Sequence, residues 1–537
     1  MEGSPLSKTI NLAEHARTGR LEEVRTLCER LGIPYFEKLP HVQLPPELIK
    51  SLDVAWARKN RLVPVEAAGD KIVVAVSDPL ALEPTDELAF TLHKRVEVVV
   101  APEEEILNSL NIIFSESMDT ADDLLTEMVA EDAGLLDNVL EAIPDLIDSD
   151  DAAPVIKLVN RILFQAVSDQ ASDVHIEPGP GVVNIRVRID GILYDRLAPP
   201  RHYLPFLASR IKVMADLDIA EKRLPQDGRF NFTVAERKID VRVSVIPTSE
   251  GERLVLRLLD KGSAHLRLKD LGLDRDNLDR FVRLITKPHG IILSTGPTGS
   301  GKTTTLYAAL SRLNSKESNI ITIEDPVEYN LPGVGQIQVN SKIGLDFARG
   351  LRSVLRHDPD IIMIGEIRDM ETSEIAIQAA LTGHLVFSTL HTNDAPSAVT
   401  RLVDMGIEPY LVSSTVTGVL AQRLVRILCP RCKEPHQPAP ETLSRAGLDQ
   451  TSLNGTRVFR ARGCSHCLQT GYRGRTGIYE LMLLDDTIQQ TLIHSPEANA
   501  IRDAALKAGM KTLLSDGLEK VRDGITSLEE VLRVTSA

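Results

Sequence analysis

Several things that would direct this 537-residue chain to export, to a membrane or to nucleic acid are missing from it. Met1 to Arg20 contains no apolar run of the signal-peptide kind, so export is not expected. Ile375 to Asn393 is free of Asp, Glu, Lys and Arg and is long enough to cross a bilayer. Gln378, His384, Thr389 and His391 interrupt it, however, and it reads as buried core, leaving any membrane role to partners. Aromatic residues are scarce, with one Trp, eight Tyr and eleven Phe, and no basic, aromatic stripe of the kind that binds single strands is present. A helicase or DNA-transport motor is therefore disfavoured, and no nucleic-acid partner is expected. Lys and Arg are absent from Glu116 to Asp151, which holds thirteen Asp or Glu. That segment carries nearly all of the formal net charge of −15 and leaves −2 for the rest of the chain. Internal repeats and low-complexity tracts are lacking as well.

What is present centres on Gly290 to Tyr307, GIILSTGPTGSGKTTTLY. An apolar run of buried-strand type, Ile291 to Leu293, leads into the complete G-x-x-x-x-G-K-[ST] pattern. The glycines let the backbone curl with its N–H groups inward, and the following helix adds its positive dipole end, a nest suited to a triphosphate. Gly296, Pro297, Thr298, Gly299, Ser300, Gly301, Lys302, Thr303 and Thr304 are the expected ATP-binding residues, with Lys302 on the β- and γ-phosphates and Thr303 on Mg²⁺.

At this length three or four domains are expected. Residues 1–112 read as a small α/β unit, with strands in KIVVAVS and RVEVVVA flanking a helix near Leu80 to Leu92, and with a docking role in view of the proline-rich stretch between Leu31 and Pro64. Cys28 and Trp56 are read as core residues. The acidic segment, 113–153, is either a solvated linker or a short amphipathic helix that docks on a partner. Residues 154–262 form a second α/β domain: a helix from Pro154, strands NIRVRID and GILYDRL joined at Asp190-Gly191, an amphipathic helix from Leu204 to Met214, and further strands. Arg210, Arg223 and Arg229 are placed on or near its loops, as solvated surface residues or as phosphate contacts for a nucleotide.

The nucleotide-binding core is expected over 268–428. After the phosphate loop comes a strand ending in Glu324, Asp325 and Glu328, carboxylates that can orient Mg²⁺ and its water. A third strand, DIIMIGE, puts Glu366 at its tip, where it can orient or deprotonate the attacking water. His384 and His391 lie on either side of another apolar strand and, with Thr382, Thr389, Thr392 and Asn393, read as a γ-phosphate-sensing edge. Cys429-Pro-Arg-Cys432 and Cys464-Ser-His-Cys467 then form two C-x-x-C pairs across 429–470, which argue for a closed, structural Cys₄ site for Zn²⁺. Residues 471–537 return to a strand at RGRTGIYE and close with helices.

Taken together, SDVHIEP (172–178), RLPQDGR (223–229), GPTGSGKT (296–303), ITIEDPVEY (321–329), DPDIIMIGEIRD (358–369), LTGHLVFSTLHTND (381–394) and the cysteine pairs resemble the secretion ATPase superfamily, and most of all the ATPases of type II secretion systems. The resemblance spans nearly the whole chain. It implies an α/β protein with a RecA-like P-loop ATPase domain, a PAS-like domain before it, a small N-terminal docking domain and a zinc subdomain. It further implies a homohexamer with nucleotide sites between the two larger domains. By the same resemblance Glu366 is the Walker B carboxylate, Glu324 to Glu328 form the Asp box, His384 and His391 form the His box, and Arg210, Arg223 and Arg229 are candidate charge-neutralising fingers. The implied partners are the inner-membrane platform proteins of type II secretion, the L-type and F-type components, reached through the N-terminal domain, and the implied location is cytoplasmic, peripheral to the inner membrane. Pilus extension and a nucleotide-gated scaffold remain as alternatives. Some relatives bind cyclic di-GMP through repeated R-L-G-x-x-L segments, whereas Arg30-Leu31-Gly32 here continues into Ile33-Pro34-Tyr35 without that repeat.

Overall fold

The computed structural model describes residues 153–234, 237–260, 267–448 and 457–535, together with parts of 28–110. The acidic segment Glu116 to Asp151 lies outside the described residues. The chain divides into two units, one holding a three-stranded sheet and the other a six-stranded and a seven-stranded sheet.

In the first unit β1 (Leu62–Ala68) and β2 (Lys71–Val76) pair antiparallel, and β3 (Arg95–Val100) lies parallel to β2. The helix Leu82–Leu92 makes that parallel connection, as the sequence predicts. Cys28 joins Leu62, Ile72, Val74, Leu88 and Ile106 in the buried core, and Trp56 packs against its edge.

The second unit begins at Ala166, in the last turn of the helix Ala153–Ser168, and goes on to the strands β4 (Asp173–Pro178), β5 (Val183–Ile189), β6 (Ile192–Leu197), β7 (Gln226–Val234), β8 (Arg237–Thr248) and β9 (Gly251–Asp260). Their order is β6-β5-β4-β9-β8-β7. Asp190 and Gly191 both have positive φ, 50° and 85°, the pair of left-handed residues that a tight hairpin needs. Along β5, Val183, Ile185, Val187 and Ile189 are buried and alternate with more exposed residues, so one face of this sheet is apolar and the other carries charge. The loop placement expected for the arginines is corrected here: Arg210 lies within the helix Leu204–Met214 and Arg229 within β7, because the polar residues at those positions follow the helical and two-residue periods of regular elements. Arg223 alone is in a loop.

The seven-stranded sheet is built on β10 (Gly290–Thr295), every residue of which is buried. β11 (Ile320–Glu324), β12 (Gly335–Gln338), β13 (Ile361–Ile364), β14 (Leu385–Leu390) and β15 (Val416–Leu428) follow. Uninterrupted apolar strands need cover on both faces, and helices supply it. Leu306, Tyr307 and Leu310 pack with Ile292, Met363 and Phe387 on one side; Leu351, Ile375, Ala379 and Val399 pack with Leu293, Ile364 and Val386 on the other. The charge-free stretch from Ile375 is interior in the end of the helix Met370–Leu381 and in all of β14, whereas Leu381, Thr382 and Gly383 between them are exposed. Among the described residues no helix is long and apolar enough to cross a membrane.

Beyond β15, the short strands β16 (Glu434–His436) and β17 (Val458–Arg460) pair within the cysteine-bearing excursion. The next strand, β18 (Tyr472–Leu483), lies antiparallel along β15 and completes the order β12-β11-β13-β14-β10-β15-β18. The C-terminal segment thus begins inside the ATPase sheet before its four helices, Asp486–His494, Ala498–Lys507, Leu513–Arg522 and Leu528–Thr535.

Candidate active site

β10 sits between β14 and β15, and the phosphate loop emerges from its carboxyl end. Gly296 has φ 147°, and a Cβ there would lie 2.5 Å from the Gln422 carbonyl oxygen and 2.7 Å from Ser300 Oγ, so only glycine fits. Gly301, at φ 89°, starts the helix Lys302–Leu313 and turns its free N–H groups toward the loop. Gln422 Nε2 donates to the Ser300 carbonyl oxygen across 2.7 Å and braces the loop from β15. Lys302 is 8% exposed, and its Nζ donates to the Gly296 (2.7 Å) and Pro297 (3.1 Å) carbonyl oxygens. Burial lowers its pKa to about 8, against the opposing pull of Glu366.

Glu366 follows β13. His391 Nε2 donates to its Oε2 at 3.2 Å, and Arg368 holds its other oxygen. The Gly365 backbone is fixed from both sides, its amide on the Ile323 carbonyl (2.7 Å) and its carbonyl accepting from Thr389 Oγ1 (2.7 Å). A carboxylate that is fastened at its backbone, 15% exposed and beside the phosphate-loop lysine can orient a water for attack.

Two expectations are corrected. Glu324 does not face a metal: it is 2% exposed and accepts hydrogen bonds from Tyr307, from Thr322 Oγ1 (2.5 Å) and from Gln336 Nε2 (3.1 Å), because its position on β11 turns it into the interior. Burial and the Glu324 charge both hold the Tyr307 phenol protonated. Asp325 and Glu328 are the acids of that segment that reach open space. Nor do the two histidines share an edge. Parallel pairing sets His384 beside Gly290, at the amino end of the sheet, with Nδ1 against the Ala379 carbonyl (2.9 Å). The six residues of β14 separate it from His391 by roughly 20 Å. His391 alone is at the phosphate-loop end.

A cavity of about 1190 Å³ is lined by Arg229, Arg242 and Arg257 from the six-stranded sheet and by Asp325, Glu328 and Asn330 after β11. Arg242 Nη2 is 3.5 Å from Glu328 Oε2. None of Gly296 to Thr303 lines it, and neither does Arg210 or Arg223. Arg223 is turned to solvent and paired with Glu221 (3.0 Å). Arg242 and Arg257 were not singled out in the sequence, although the two-residue alternation in RKIDVRVSV and RLVLRLL marks them as lying on a polar sheet face.

Cys429, Cys432, Cys464 and Cys467 converge, with Sγ–Sγ separations of 3.9 Å (Cys429–Cys464), 3.8 Å (Cys432–Cys467) and 3.7 Å (Cys464–Cys467). Zinc bonded to four thiolates at about 2.3 Å requires sulfurs about 3.8 Å apart, so the residues fit the metal. The amides of Cys464 and Gly471 point at Cys467 Sγ, both at 3.2 Å, as donors to a thiolate. His466 is turned away from the four sulfurs' set, with a ring nitrogen 3.1 Å from Arg473 Nη1.

Sequence reading also passed over Arg423, which is 7% exposed on β15 next to Gln422. The signal was there in the run VLAQRLVRIL, where the adjacent Gln422 and Arg423, and then Arg426, interrupt an apolar strand.

A family model described as Type II/IV secretion system protein matches residues 148–533, and another, described as MshEN domain, matches residues 31–120. The chain is 51% identical over 460 residues to the Type II secretion system ATPase E of Vibrio cholerae, covering 85% of this chain and 91% of that protein. It is 44% identical over 525 residues to the Type IV pilus assembly ATPase PilB of Myxococcus xanthus, covering 97% and 92%. The X-ray structure of the Legionella pneumophila ATPase DotB aligns with a TM-score of 0.53 at 22% identity, covering 71% of this chain and 96% of that one, and supports the RecA-like fold. The phosphate loop, the sheet that carries it and these similarities lead to one conclusion: the chain belongs to the Type II/IV secretion system protein family of ATPases.

Proposed function

We propose that this chain is a homohexameric ATPase that couples ATP hydrolysis to assembly of a pseudopilus and so to protein export across the outer membrane by type II secretion. The observation that carries the hydrolysis is the meeting of Lys302, Glu366 and His391 at the carboxyl ends of three neighbouring strands, β10, β13 and β14. The similarity to a type II secretion ATPase over 85% of the chain supports the biological role.

In this reading Gly296 to Thr304 cradle the triphosphate, and Lys302 leaves the Gly296 and Pro297 carbonyls for the β- and γ-phosphates. Thr303, half-buried in the first helical turn, fits as a ligand of Mg²⁺, which neutralises charge across those phosphates. Glu366 orients the attacking water and takes its proton, and His391 holds that carboxylate in place. Asp325 and Glu328 face the cavity with Arg229, Arg242 and Arg257, which act as the charge-neutralising side chains there. Domain limits at 1–112, 154–262, 268–428, 429–470 and 471–537 belong to the same proposal, with Zn²⁺ in the cysteine site. The N-terminal domain docks on inner-membrane platform proteins, of the L-type and F-type, so the chain works from the cytoplasmic side.

A second reading, pilus extension, draws on the pilus assembly ATPase that matches 97% of this chain. The deciding experiment deletes the gene in its own host and restores wild type or Glu366→Gln. Export of secreted enzymes that returns only with wild type supports type II secretion; export that never falls, with loss of surface pili, supports the second reading.

A further inference from the structure

Arg423 reaches from β15 across the carboxyl end of β10 toward the segment after β14. Its Nη2 donates to Asn393 Oδ1 (3.0 Å) and to the Asn393 carbonyl oxygen (3.3 Å). Its Nη1 lies 3.2 Å from the point where a side chain at Gly296 would begin, so the guanidinium backs directly onto the first residue of the phosphate loop. Both acceptors on Asn393 are neutral. Asp394 and Glu480 act on the guanidinium through space, while their own hydrogen bonds go elsewhere, Asp394 to the Ser397 amide and Arg502 and Glu480 to the Ala395 amide. Among the described residues no carboxylate forms an ion pair with Arg423. A buried cation without a paired anion is costly, and positions of that kind are kept where a charge arrives later.

The segment that Arg423 grips is held at every residue. His391 is on Glu366, Thr392 on Thr295 (2.9 Å from the Thr392 amide to Oγ1), Asn393 on Arg423, Asp394 on Arg502 (2.5 Å) and Ala395 on Glu480 (2.8 Å). Arg423 is the member of this bracket that touches the back of the phosphate loop.

We propose that Arg423 is a positioning residue for ATP hydrolysis: from behind Gly296 it holds Asn393, and with it the His391–Glu366 pair, in the register that the γ-phosphate and attacking water require. The inference rests on the ATPase reading. Burial lowers the Arg423 pKa, and Arg423 in turn contributes to the lowered pKa of Lys302, so a triphosphate relieves two crowded cations at once.

The test uses full-length protein carrying Arg423→Gln, Arg423→Lys, Asn393→Ala, and the Arg423→Gln/Asn393→Ala pair. Phosphate release gives kcat and KM, a fluorescent ADP analogue gives product affinity, and thermal melting checks folding. Arg423→Gln is expected to lower kcat by about tenfold or more while ADP affinity stays within about threefold, since a misplaced group costs rate before it costs binding. Arg423→Lys recovers part of the loss. Asn393→Ala lowers kcat in the same direction, and the pair is no worse than Arg423→Gln alone. Undiminished kcat in Arg423→Gln, loss of ADP affinity by the same factor as the rate, or effects that multiply in the pair would overturn the proposal. If Arg423→Gln does not fold, Asn393→Ala decides, because Asn393 is exposed and Arg423 keeps its bond to the backbone carbonyl of that residue. Absence of turnover in the wild-type protein would strike the ATPase reading instead.

Discussion

His391 Nε2 donates to Glu366 Oε2 across 3.2 Å, so the tips of β14 and β13 are joined beside the phosphate loop. Glu366 is thereby oriented by a neighbour that can itself feel charge in the site. This pair sets the first expectation. Glu366→Gln keeps the shape and the hydrogen-bonding reach of the side chain but removes the base, and should reduce kcat by about a hundredfold or more with ATP binding retained. His391→Ala removes only the orienting partner and should cost about tenfold. Steady-state phosphate release, read beside equilibrium nucleotide binding, checks both.

Lys302 makes nucleotide affinity depend on pH in a definite direction. Its ammonium loses a proton near pH 8 in nucleotide-free protein, because burial disfavours the charge. Bound triphosphate favours the charged form, so binding takes up a proton above that pH. Affinity for ATP should be flat below pH about 8 and weaken as pH rises beyond it. Calorimetry in buffers of different ionisation enthalpy should detect proton uptake at pH 8.5 to 9, taken as roughly the range between the lowered and ordinary lysine values. Lys302→Arg, charged throughout, should lose that dependence.

The sulfur geometry predicts about one zinc per chain in freshly purified protein, as one closed four-thiolate shell requires. Cys432→Ser should remove the metal and lower the melting temperature, since the site ties Cys429 and Cys432 to Cys464 and Cys467 across the excursion. Elemental analysis that finds no zinc would contradict the assignment.

The arginines separate by position. Arg229→Ala or Arg242→Ala, which alter the cavity facing Asp325 and Glu328, should reduce turnover by about tenfold. Arg223→Ala should stay within about threefold, because Arg223 is spent on Glu221 in solvent. Parallel kcat measurements on the three variants rank them.

How far the site could be read in the sequence follows from how local each part is. The phosphate loop is contiguous, so Gly296 to Thr303 were legible residue by residue. Glu366 was legible because an apolar strand that ends in an acid declares its own tip. The histidines misled because neighbours in a motif are far apart once a six-residue strand runs between them. Glu324 misled because the side to which a strand residue points is set by the sheet's pleat and by Tyr307, Thr322 and Gln336 around it. Arg242, Arg257 and Arg423 come from strands whose neighbours are fixed by sheet order, β9 next to β8 and β15 next to β10, which a single sequence does not print. For the same reason β18, after a 43-residue gap between Leu428 and Tyr472, could be recognised as a strand but not as the edge of the ATPase sheet.

The central claim is that this chain hydrolyses ATP through the phosphate loop on β10, and the most direct measurement is Mg²⁺-dependent phosphate release by purified, folded full-length Lys302→Ala beside wild type. The account predicts turnover in the wild type and a loss of about a hundredfold or more in the variant, because the charge that steadies the β- and γ-phosphates is gone. Turnover in Lys302→Ala equal to that of the wild type would contradict it.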